Sequence, residues 1–438
     1  MTYHEIVDYL YHLPRFTKGG HMENVKKLEK ALGNPQDSFR YIHVAGTNGK
    51  GSVCAYIEHC LRLCHQKTGL FTSPHLVKVN ERIRICGQEI SDEDFVRIFH
   101  VVEAAVWREQ DNGVETPSFF EYIYLMAMVY FEEQNIDFGI IEAGMGGRTD
   151  FTNAVEHPVL AVITAIGMDH VPLLGTNLEE IAREKSGIIK AGVPLVCAPQ
   201  KAEAFRVLSE RAGELGVTSV FLEKKNIEII SHNGKNIDFS VECGYDDTYN
   251  ITLHTPAVYQ CENAALALAA LKLLWENLRY PGDFEKIVTR GISETRWPGR
   301  MEELAPDFYV DGAHNVDGAK ALAQTLRRGF AGQPIYLVFA VAGDKDYEEM
   351  IRELVQIPEL KGVIVTEIEN GRRCALDKVV NVFKKNWNGM VRSTYNIKEA
   401  VKIGLLMRQG QGIVCCAGSL YLVGSIKEFT GGNSDDKL

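Results

Sequence analysis

A glycine-rich segment, GTNGKGS at residues 46–52, has the residue types that bind phosphate. It lies between a short β-prone run and a plausible helix. In that setting the backbone amides and a lysine, here Lys50, hold the phosphates of a nucleotide. The spacing departs from the usual GxxxxGK[ST], because Val44 replaces the first glycine and Gly51 follows the lysine. A glycine turn with a solvated lysine is the alternative, which the flanking strand and helix disfavour.

Acidic and imidazole side chains follow two other apolar runs. Glu142 ends the run at 138–142, and His170 follows the run at 159–166. Magnesium prefers a few oxygen ligands and fills its remaining positions with water and phosphate, so Glu142 is a candidate ligand. Glu142 could instead be a solvated carboxylate or a helix cap, and a lone histidine beside an aspartate is more often structural.

The elements that carry these residues indicate a parallel sheet. The runs at 41–45, 138–142 and 159–166 are almost wholly apolar and end in glycine or polar residues. Such strands are typical of a parallel sheet covered on both faces, and ligands bind at the carboxyl ends of its strands. A helix is predicted at 53–63, directly after the loop. The candidate residues should therefore share one edge of the sheet.

The pattern changes twice in the second half of the chain. Between residues 226 and 254, short alternating runs flank Asn233-Gly234, which predicts an antiparallel hairpin. A helix is predicted at 262–277. Beyond the segment RWPGR at 296–300, three new strand-like runs appear, at 335–341, 363–367 and 413–417.

These patterns predict an α/β fold with two domains, which the length of 438 residues also favours. Residues 1–297 are expected to form an N-terminal, P-loop-containing, parallel-sheet ATPase domain with a small antiparallel addition. Residues 298–438 are expected to form a smaller C-terminal Rossmann-like α/β domain.

Composition and charge disfavour several classes of protein. With 45% hydrophobic and 24% charged residues, the chain has an ordinary globular composition. Its 47 Lys and Arg against 58 Asp and Glu give a net charge of −11, which repels polyanions and disfavours a nucleic-acid partner. No apolar run approaches the roughly 18 residues of a membrane span, and residues 1–10 lack the pattern of a signal peptide. We expect a cytoplasmic protein without a membrane partner.

Ten cysteines raise the question of disulfides or metal binding. In a cytoplasmic chain of this length we expect them to be reduced and buried, with Cys415 and Cys416 in the core of a strand. Cys60 and Cys64 lie four residues apart on a predicted helix and could bind a metal. Because no second pair of this kind occurs in the sequence, we favour the reduced, buried interpretation.

The loop GTNGKGS resembles the nucleotide loop of the Mur ligase superfamily, and in particular of its folylpolyglutamate synthase and dihydrofolate synthase branch. Further segments resemble motifs of that branch and follow in the same order: FTSPHLVKVNERIRICG at 71–87, EAGMGGRTD at 142–150, ITAIGMDH at 163–170, IAREKSGIIK at 181–190, RWPGR at 296–300, DGAHN at 311–315 and GSLYLVG at 418–424. So many ordered motifs argue against a chance resemblance.

The resemblance implies an ATP-dependent ligase that adds L-glutamate to the carboxylate of tetrahydrofolate through an acyl phosphate. It leaves open whether the chain also converts dihydropteroate to dihydrofolate. ATP would be the co-substrate and Mg²⁺ the cofactor. We expect a monomer whose partners are small molecules, namely ATP, L-glutamate and a reduced folate or dihydropteroate.

The resemblance also implies roles for individual residues. Those expected to bind ATP are Asn48, Gly49, Lys50, Gly51, Ser52, Asn263, Arg300 and Asp311. The expected metal ligands are Ser73, Glu142, His170 and Lys185, and the expected catalytic residues are Lys50, Lys185, His170 and His314. The folate or dihydropteroate is expected to contact Thr17, Ser118, Phe119, Glu121, Thr149 and Asp150.

Several of these residues have competing interpretations. Asn263 alone would be taken for a helix cap. Phe119 and Phe120 could stack on a flat heterocycle, or they could be core residues of a helix at 117–133. From its local sequence Lys185 belongs to a solvated helix face, whereas the resemblance implies that it is carbamylated and offers a negative oxygen to a second magnesium. The family usually has leucine and alanine where this chain has Thr149 and Phe151.

Two other functions compete with folate ligation. A peptidoglycan precursor ligase of the same superfamily is disfavoured, because GKGS replaces the GKT of that branch and because SPHL and DGAHN belong to the folate branch. A nucleotide-binding regulatory or scaffold protein without catalysis is disfavoured by the joint presence of Ser73, Glu142, His170 and Lys185.

Overall fold

The computed structural model describes residues 1–14, 21–169, 171–243, 247–278, 283–369 and 371–431. The chain forms two compact units, Met1–Asn226 with Asn263–Thr295, and Ile227–Glu262 with Arg296–Leu438. The small antiparallel sheet therefore groups with the second unit rather than with the N-terminal residues.

The first unit is built around an eight-stranded sheet. Its strands are β1 (Arg40–Ala45), β2 (Thr68–Phe71), β3 (Ile83–Ile85), β4 (Gln88–Glu89), β5 (Phe138–Glu142), β6 (Leu160–Ile163), β7 (Leu195–Cys197) and β8 (Ser219–Phe221). Its helices are α1 (Tyr3–His12), α2 (His21–Ala31), α3 (Lys50–Leu63), α4 (Asp92–Gln110), α5 (Phe119–Glu133), α6 (Val171–Leu174), α7 (Leu178–Ser186), α8 (Ala202–Leu215), α9 (Tyr259–Leu278) and α10 (Phe284–Glu294). The first four residues of α9 belong to the second unit.

The strand order of this sheet is β4-β3-β2-β5-β1-β6-β7-β8. The strands from β2 to β8 in that order pair in parallel, and β3 and β4 are antiparallel additions. Val44 pairs with Glu142 and Ala45 pairs with Ile163, so the carboxyl ends of β5, β1 and β6 are level. These strands are mostly apolar on both faces, and all of their residues except Arg40 are buried.

The second unit contains two sheets. The smaller is antiparallel, in the order β11-β10-β9, with β9 (Ile227–His232), β10 (Ile237–Glu242) and β11 (Thr248–Leu253). The larger has the order β12-β13-β17-β14-β15-β16, with β12 (Glu302–Ala305), β13 (Phe308–Val310), β14 (Ile335–Phe339), β15 (Leu360–Val365), β16 (Met390–Ser393) and β17 (Ile413–Ala417). Only β12 pairs antiparallel in it. The helices are α11 (Val316–Gly329), α12 (Tyr347–Leu354), α13 (Leu376–Asn386), α14 (Ile397–Arg408) and α15 (Leu420–Gly431).

The predicted fold class is confirmed, with a parallel-dominated sheet in the first unit and a Rossmann-like sheet in the second. The predicted hairpin forms with its turn after His232, and Cys415 and Cys416 are buried in β17. The helix after the glycine loop begins at Lys50 rather than at Val53, because Gly49 at φ +90° turns the chain directly into it. Among the described residues, no helix is long and apolar enough to cross a membrane.

Candidate active site

The glycine loop joins β1 to α3 and needs its glycines for space. A Cβ on Gly46 would lie 1.8 Å from Thr164 Oγ1, and one on Gly49 would lie 2.2 Å from Asn263 Oδ1. Both glycines have positive φ, +153° and +90°. The structure thus brings Asn263 against the loop. The first turn of α3, which begins at Lys50, supplies the exposed backbone amides that bind anions.

Thr47 fixes the loop to the chain that follows β6. Its backbone N–H donates to Ala165 O at 3.0 Å, and its Oγ1 lies 3.1 Å from both the N and the O of Gly167. The sequence analysis did not single out Thr47. The sequence shows a hydroxyl residue in the glycine loop and a glycine, Gly167, shortly after β6. Their proximity could not be predicted, because it depends on β1 and β6 being neighbours in the sheet.

Lys50, Glu142 and Ser73 meet at the carboxyl ends of the strands. Lys50 Nζ lies 3.8 Å from Glu142 Oε1, and the Ser73 N–H donates to Glu142 Oε2 at 2.9 Å. Parallel pairing of β2 with β5 places Ser73 beside the buried Glu142. An ammonium group, a carboxylate and a serine are therefore together where the loop would hold phosphates.

The residue types at this edge suit a hard divalent cation, although the contact between Ser73 and Glu142 is made by the Ser73 backbone N–H. A carboxylate beside a serine offers oxygen donors, which is the chemistry that Mg²⁺ prefers while it keeps phosphate and water in its other positions. His170, the third predicted ligand, lies outside the described residues. In the described ranges, no group of three or more His, Cys, Asp or Glu side chains could hold a metal.

Lys185 is buried, in contrast to the solvated helix face that its local sequence favours. It is 3% exposed, and its Nζ donates to Gly46 O at 2.8 Å. Burial and the nearby Lys50 lower the pKa of Lys185 to about 7, while Asp169 and Asp150 act in the opposite direction. The amine thus lies directly under the phosphate loop, since Gly46 is the first residue of that loop.

In the second unit, Asp311 organises the start of the DGAHN motif. Its Oδ2 accepts from Tyr259 Oη at 2.5 Å and from the Met301 N–H at 2.9 Å, and its Oδ1 accepts from the Ala313 N–H at 2.8 Å. Burial raises the pKa of the Asp311 carboxyl. Tyr259 did not emerge from the sequence, because its link to Asp311 spans 52 residues.

Arg300 and His314 lie on the same segments of the second unit. A Cβ on Gly312 would lie 2.2 Å from Arg300 Nη1, so the guanidinium packs directly on the motif. His314 Nδ1 lies 2.8 Å from Gly312 O. Asn315 caps α11, since its Oδ1 accepts from the Gly318 N–H at 2.8 Å. The structure thus brings Arg300, Asp311 and His314 together.

Ser118 and Glu121, both predicted to contact folate, form the capping box of α5. The Ser118 N–H donates to Glu121 Oε2 at 2.6 Å, and the Glu121 N–H donates to Ser118 Oγ at 3.5 Å. Both side chains are buried. They fix the start of α5, whose first two residues are Phe119 and Phe120.

Phe119 and Phe120 lie on either side of a buried cation. Phe119 stacks on Tyr11 with centroids 5.3 Å apart, and the Arg82 guanidinium lies 5.2 Å from the Phe119 ring and 5.7 Å from the Phe120 ring. Phe120 stacks on Phe71 at 5.4 Å. Arg82, which is 8% exposed, was not singled out from the sequence, although it lies within the segment at 71–87.

The loop after β5 contains the remaining predicted folate residues. Thr149 is exposed, whereas Asp150 is 6% exposed and its Oδ2 accepts from the Met145 N–H at 2.7 Å. Phe151 packs edge-on against Phe120 with centroids 4.9 Å apart. Thr17 lies outside the described residues.

Comparisons with known proteins agree with this geometry. The family model "Mur ligase middle domain" matches residues 44–271, which include the phosphate loop, Glu142 and Asn263. The model "Mur ligase, glutamate ligase domain" matches residues 299–420. The chain is thus a member of the Mur ligases.

Whole-length relatives narrow the class. The chain is 34% identical over 417 residues to dihydrofolate synthase/folylpolyglutamate synthase of Bacillus subtilis, covering 92% of this chain and 93% of the relative. It is 33% identical to folylpolyglutamate synthase of Lacticaseibacillus casei, covering 99% and 100%. A solved structure of Mycobacterium tuberculosis folylpolyglutamate synthase complexed with ADP and AMPPCP superposes with a TM-score of 0.88 at 28% identity, covering 98% of each chain. The chain belongs to the folylpolyglutamate synthase family of the Mur ligase superfamily.

Proposed function

We propose that the chain is an ATP-dependent ligase that adds L-glutamate to the carboxylate of tetrahydrofolate. The observation that carries the proposal is the meeting of Lys50, Glu142 and Ser73 beside a phosphate loop in a member of this family. The relatives from B. subtilis and L. casei are named for folylpolyglutamate synthesis, and the M. tuberculosis structure contains adenine nucleotides.

The reaction would proceed in two steps. A carboxylate oxygen of the folate attacks the γ-phosphorus of ATP, the bond to ADP breaks, and an acyl phosphate forms. The amine of glutamate then attacks the acyl carbon, loses a proton and expels phosphate, which leaves an amide. Loop amides and the Lys50 ammonium would stabilise the charge on the transferring phosphoryl group, since α3 begins at Lys50 and its Nζ stays beside the loop, donating to Thr47 O at 3.3 Å.

Glu142 and Ser73 would hold magnesium in this scheme, with His170 as a further predicted ligand. A bound magnesium ion would neutralise charge on the phosphates. The predicted ATP contacts belong to the same proposal, namely Asn48, Gly49, Gly51, Ser52, Asn263, Arg300 and Asp311. His314 would help to position the incoming glutamate.

Carbamylation of Lys185 is part of the same proposal. Its Nζ would attack carbon dioxide, lose a proton and become a carbamate, which reverses the sign of the group. Two features support this: the side chain is buried, where an ammonium is poorly solvated, and it lies under a loop that already contains the positive Lys50. The carbamate oxygens would serve as ligands to a second magnesium.

Dihydrofolate synthesis is a second candidate activity. The B. subtilis relative is named for both activities, whereas the L. casei relative is named for folylpolyglutamate synthesis alone. Two of the residues predicted to contact the pterin have structural bonds of their own. Ser118 belongs to the capping box of α5, and Asp150 closes the loop after β5. Activity with dihydropteroate as the acceptor would decide between one function and two.

The functional division of the chain is also a proposal. Residues 1–297 would bind ATP and folate, and residues 298–438 would carry the glutamate ligase function. We further propose a monomer that works in the cytoplasm, in keeping with the burial of most of its free cysteines. Sedimentation of the purified protein and fractionation of cells would check these two assignments.

Phosphate release by the purified protein tests the proposed function. With ATP, magnesium and tetrahydrofolate present, release is expected to depend on L-glutamate and to match the formation of a glutamyl-folate. Parallel reactions with dihydropteroate and with a peptidoglycan precursor would identify the acceptor. ATP hydrolysis that ignores both glutamate and folate would contradict the proposal.

A further inference from the structure

A buried chain of hydrogen bonds links β1 to the loop that follows β5. His43 Nε2 lies 2.9 Å from Thr152 Oγ1, and Thr152 Oγ1 donates to Asp150 Oδ1 at 2.6 Å. His43 and Thr152 are each 0% exposed, and Asp150 is 6% exposed. None of these bonds belongs to the phosphate site around Lys50 and Glu142, so they require a separate explanation.

The direction of the chain follows from the donors available. A threonine hydroxyl has one hydrogen, and here Asp150 takes it. Thr152 Oγ1 must then accept from His43, which places the ring proton on Nε2. His43 Nδ1 is left as an acceptor, and it has no partner in the part of the chain that the structure describes. Burial and Lys190 lower the pKa of His43 to about 3, so the ring is neutral and has one fixed tautomer.

Asp150 uses these bonds to close its own loop. Its Oδ1 also accepts from the Thr152 N–H at 3.0 Å, and its Oδ2 accepts from the Met145 N–H at 2.7 Å. Tyr41 Oη donates to Thr152 O at 2.8 Å, which holds the backbone of the same residue. The carboxylate therefore joins both ends of the segment 145–152, and β1 holds that carboxylate through Thr152.

The closed loop lies beside aromatic residues that are candidates for folate contact. It contains Thr149 and Phe151, and Phe151 packs on Phe120, the ring that could stack on a flat heterocycle. A small shift of the loop would therefore move the aromatic contacts of the substrate, whereas the phosphate loop has its own anchors at Thr47 and Asn263. The loop 145–152 also meets α7, where the Arg148 N–H donates to Glu184 O at 2.6 Å, so we expect a large effect on folate and a much smaller one on ATP.

We propose that His43 is a positioning residue for the folate substrate, which orients Asp150 through Thr152 and so holds the loop 145–152 beside those aromatic residues. The inference rests on the proposed function. A histidine that only filled the core would be replaceable by an apolar side chain of similar size. Here an apolar side chain would leave Thr152 Oγ1 buried without the donor that holds it in place toward Asp150.

Four single variants and one double variant test this role. His43→Leu removes the donor, and His43→Gln keeps an amide N–H at a similar reach. Thr152→Val removes only the hydroxyl, and Thr152→Ser keeps it. For each we would measure the KM of tetrahydrofolate, the KM of ATP, kcat, the Kd of tetrahydrofolate by calorimetry, and the melting temperature.

The loss of one oriented hydrogen bond in the chain that holds Asp150 should raise both the KM and the Kd of tetrahydrofolate about tenfold in His43→Leu and Thr152→Val. The KM of ATP should stay within about twofold of the wild-type value. His43→Gln and Thr152→Ser should recover most of the affinity. The double variant His43→Leu/Thr152→Val should be no worse than either single variant, because both act through one chain.

Three results would overturn the proposal: unchanged folate affinity in folded His43→Leu and Thr152→Val, an equal rise in the KM of ATP, or a Gln variant as poor as the Leu variant. If His43→Leu fails to fold, the Thr152 pair still decides the question. A wild-type protein that binds tetrahydrofolate without adding glutamate would contradict the proposed function alone, and the Kd values would then decide the inference. Absence of tetrahydrofolate binding would overturn both.

Discussion

The buried carboxyl of Glu29 should make the stability of the protein fall as the pH rises from 4.5 to about 7. Glu29 lies on α2 and is 2% exposed, and its Oε1 accepts from Tyr124 Oη at 2.9 Å. Burial, the largest cause, raises its pKa from 4.5 to about 7, and the Tyr124 hydrogen bond only partly offsets this. A neutral side chain of the same shape, in Glu29→Gln, should remove the pH dependence that this carboxyl contributes.

The sign follows from proton binding. Between pH 4.5 and about 7 the folded protein holds a proton on Glu29 that the unfolded chain has lost, so stability declines as the pH rises through this window. The cost is absent below the unfolded pKa and complete above the folded one. At about 1.4 kcal/mol for each pKa unit, this carboxyl destabilises the folded state by on the order of 3 kcal/mol at pH 8.

Denaturant unfolding of wild type and Glu29→Gln at pH 5 and pH 8 measures the effect. The two proteins should be similar at pH 5, and the variant should be more stable at pH 8 by up to about 3 kcal/mol. Other titrating groups cancel in the difference. Glu23→Gln, an exposed site on the same helix, is the matched control and should change stability by less than about 0.5 kcal/mol. A Glu29→Gln protein less stable than wild type at pH 8 would refute the reasoning.

Three further predictions concern the phosphate site. Lys50→Ala should abolish glutamate-dependent phosphate release while the protein stays folded by circular dichroism, whereas the exposed Lys30→Ala should keep full activity; near wild-type turnover in Lys50→Ala would remove the phosphate-loop assignment. Glu142→Ala should raise the magnesium concentration for half-maximal activity sharply, and an unchanged titration would place the metal elsewhere. Lys185→Ala should be nearly inactive, and acetate should partly restore its activity. The mass of the intact wild-type protein should exceed that of the unmodified chain by one carbamate. Substantial activity in the variant, or an unmodified amine in active enzyme, would refute carbamylation.

The elements nearest the site were predictable because they depend on local patterns. β5 was predicted with both ends correct and β1 to within one residue, since an apolar run that ends at a glycine or a carboxylate marks a buried parallel strand. The capping box at Ser118 and Glu121 gives α5 a clear start. Short strands such as β7 and β16 were missed, because three or four residues carry too little pattern to be distinguished from loops.

Contacts between distant segments were less accessible to sequence reasoning. The burial of Lys185 contradicts its local pattern, since Arg183 and Glu184 beside it are polar, and only its packing under Gly46 makes it an interior residue. Asn263 follows Gly49 by more than two hundred residues, and only the family resemblance joined them. Nothing in the sequence pointed to Tyr259 or to His43, because the partner of each is fixed by the fold.

The buried polar groups around the folate and phosphate loops explain why this part of the fold cannot be optimised for stability alone. Three ionisable side chains lose hydration on folding, namely those of Glu29, Asp150 and Lys185. Burial raises the pKa of the two carboxyls and lowers that of the amine, which favours the neutral form of each group. An apolar side chain at these positions would avoid that cost. The bonds of Asp150 instead close the loop after β5, and the bond of Lys185 holds Gly46 at the end of β1, so less ordering remains to oppose binding. Variants that stabilise the protein here, with Glu29→Gln first among them, are therefore the ones in which folate affinity should be measured next to stability.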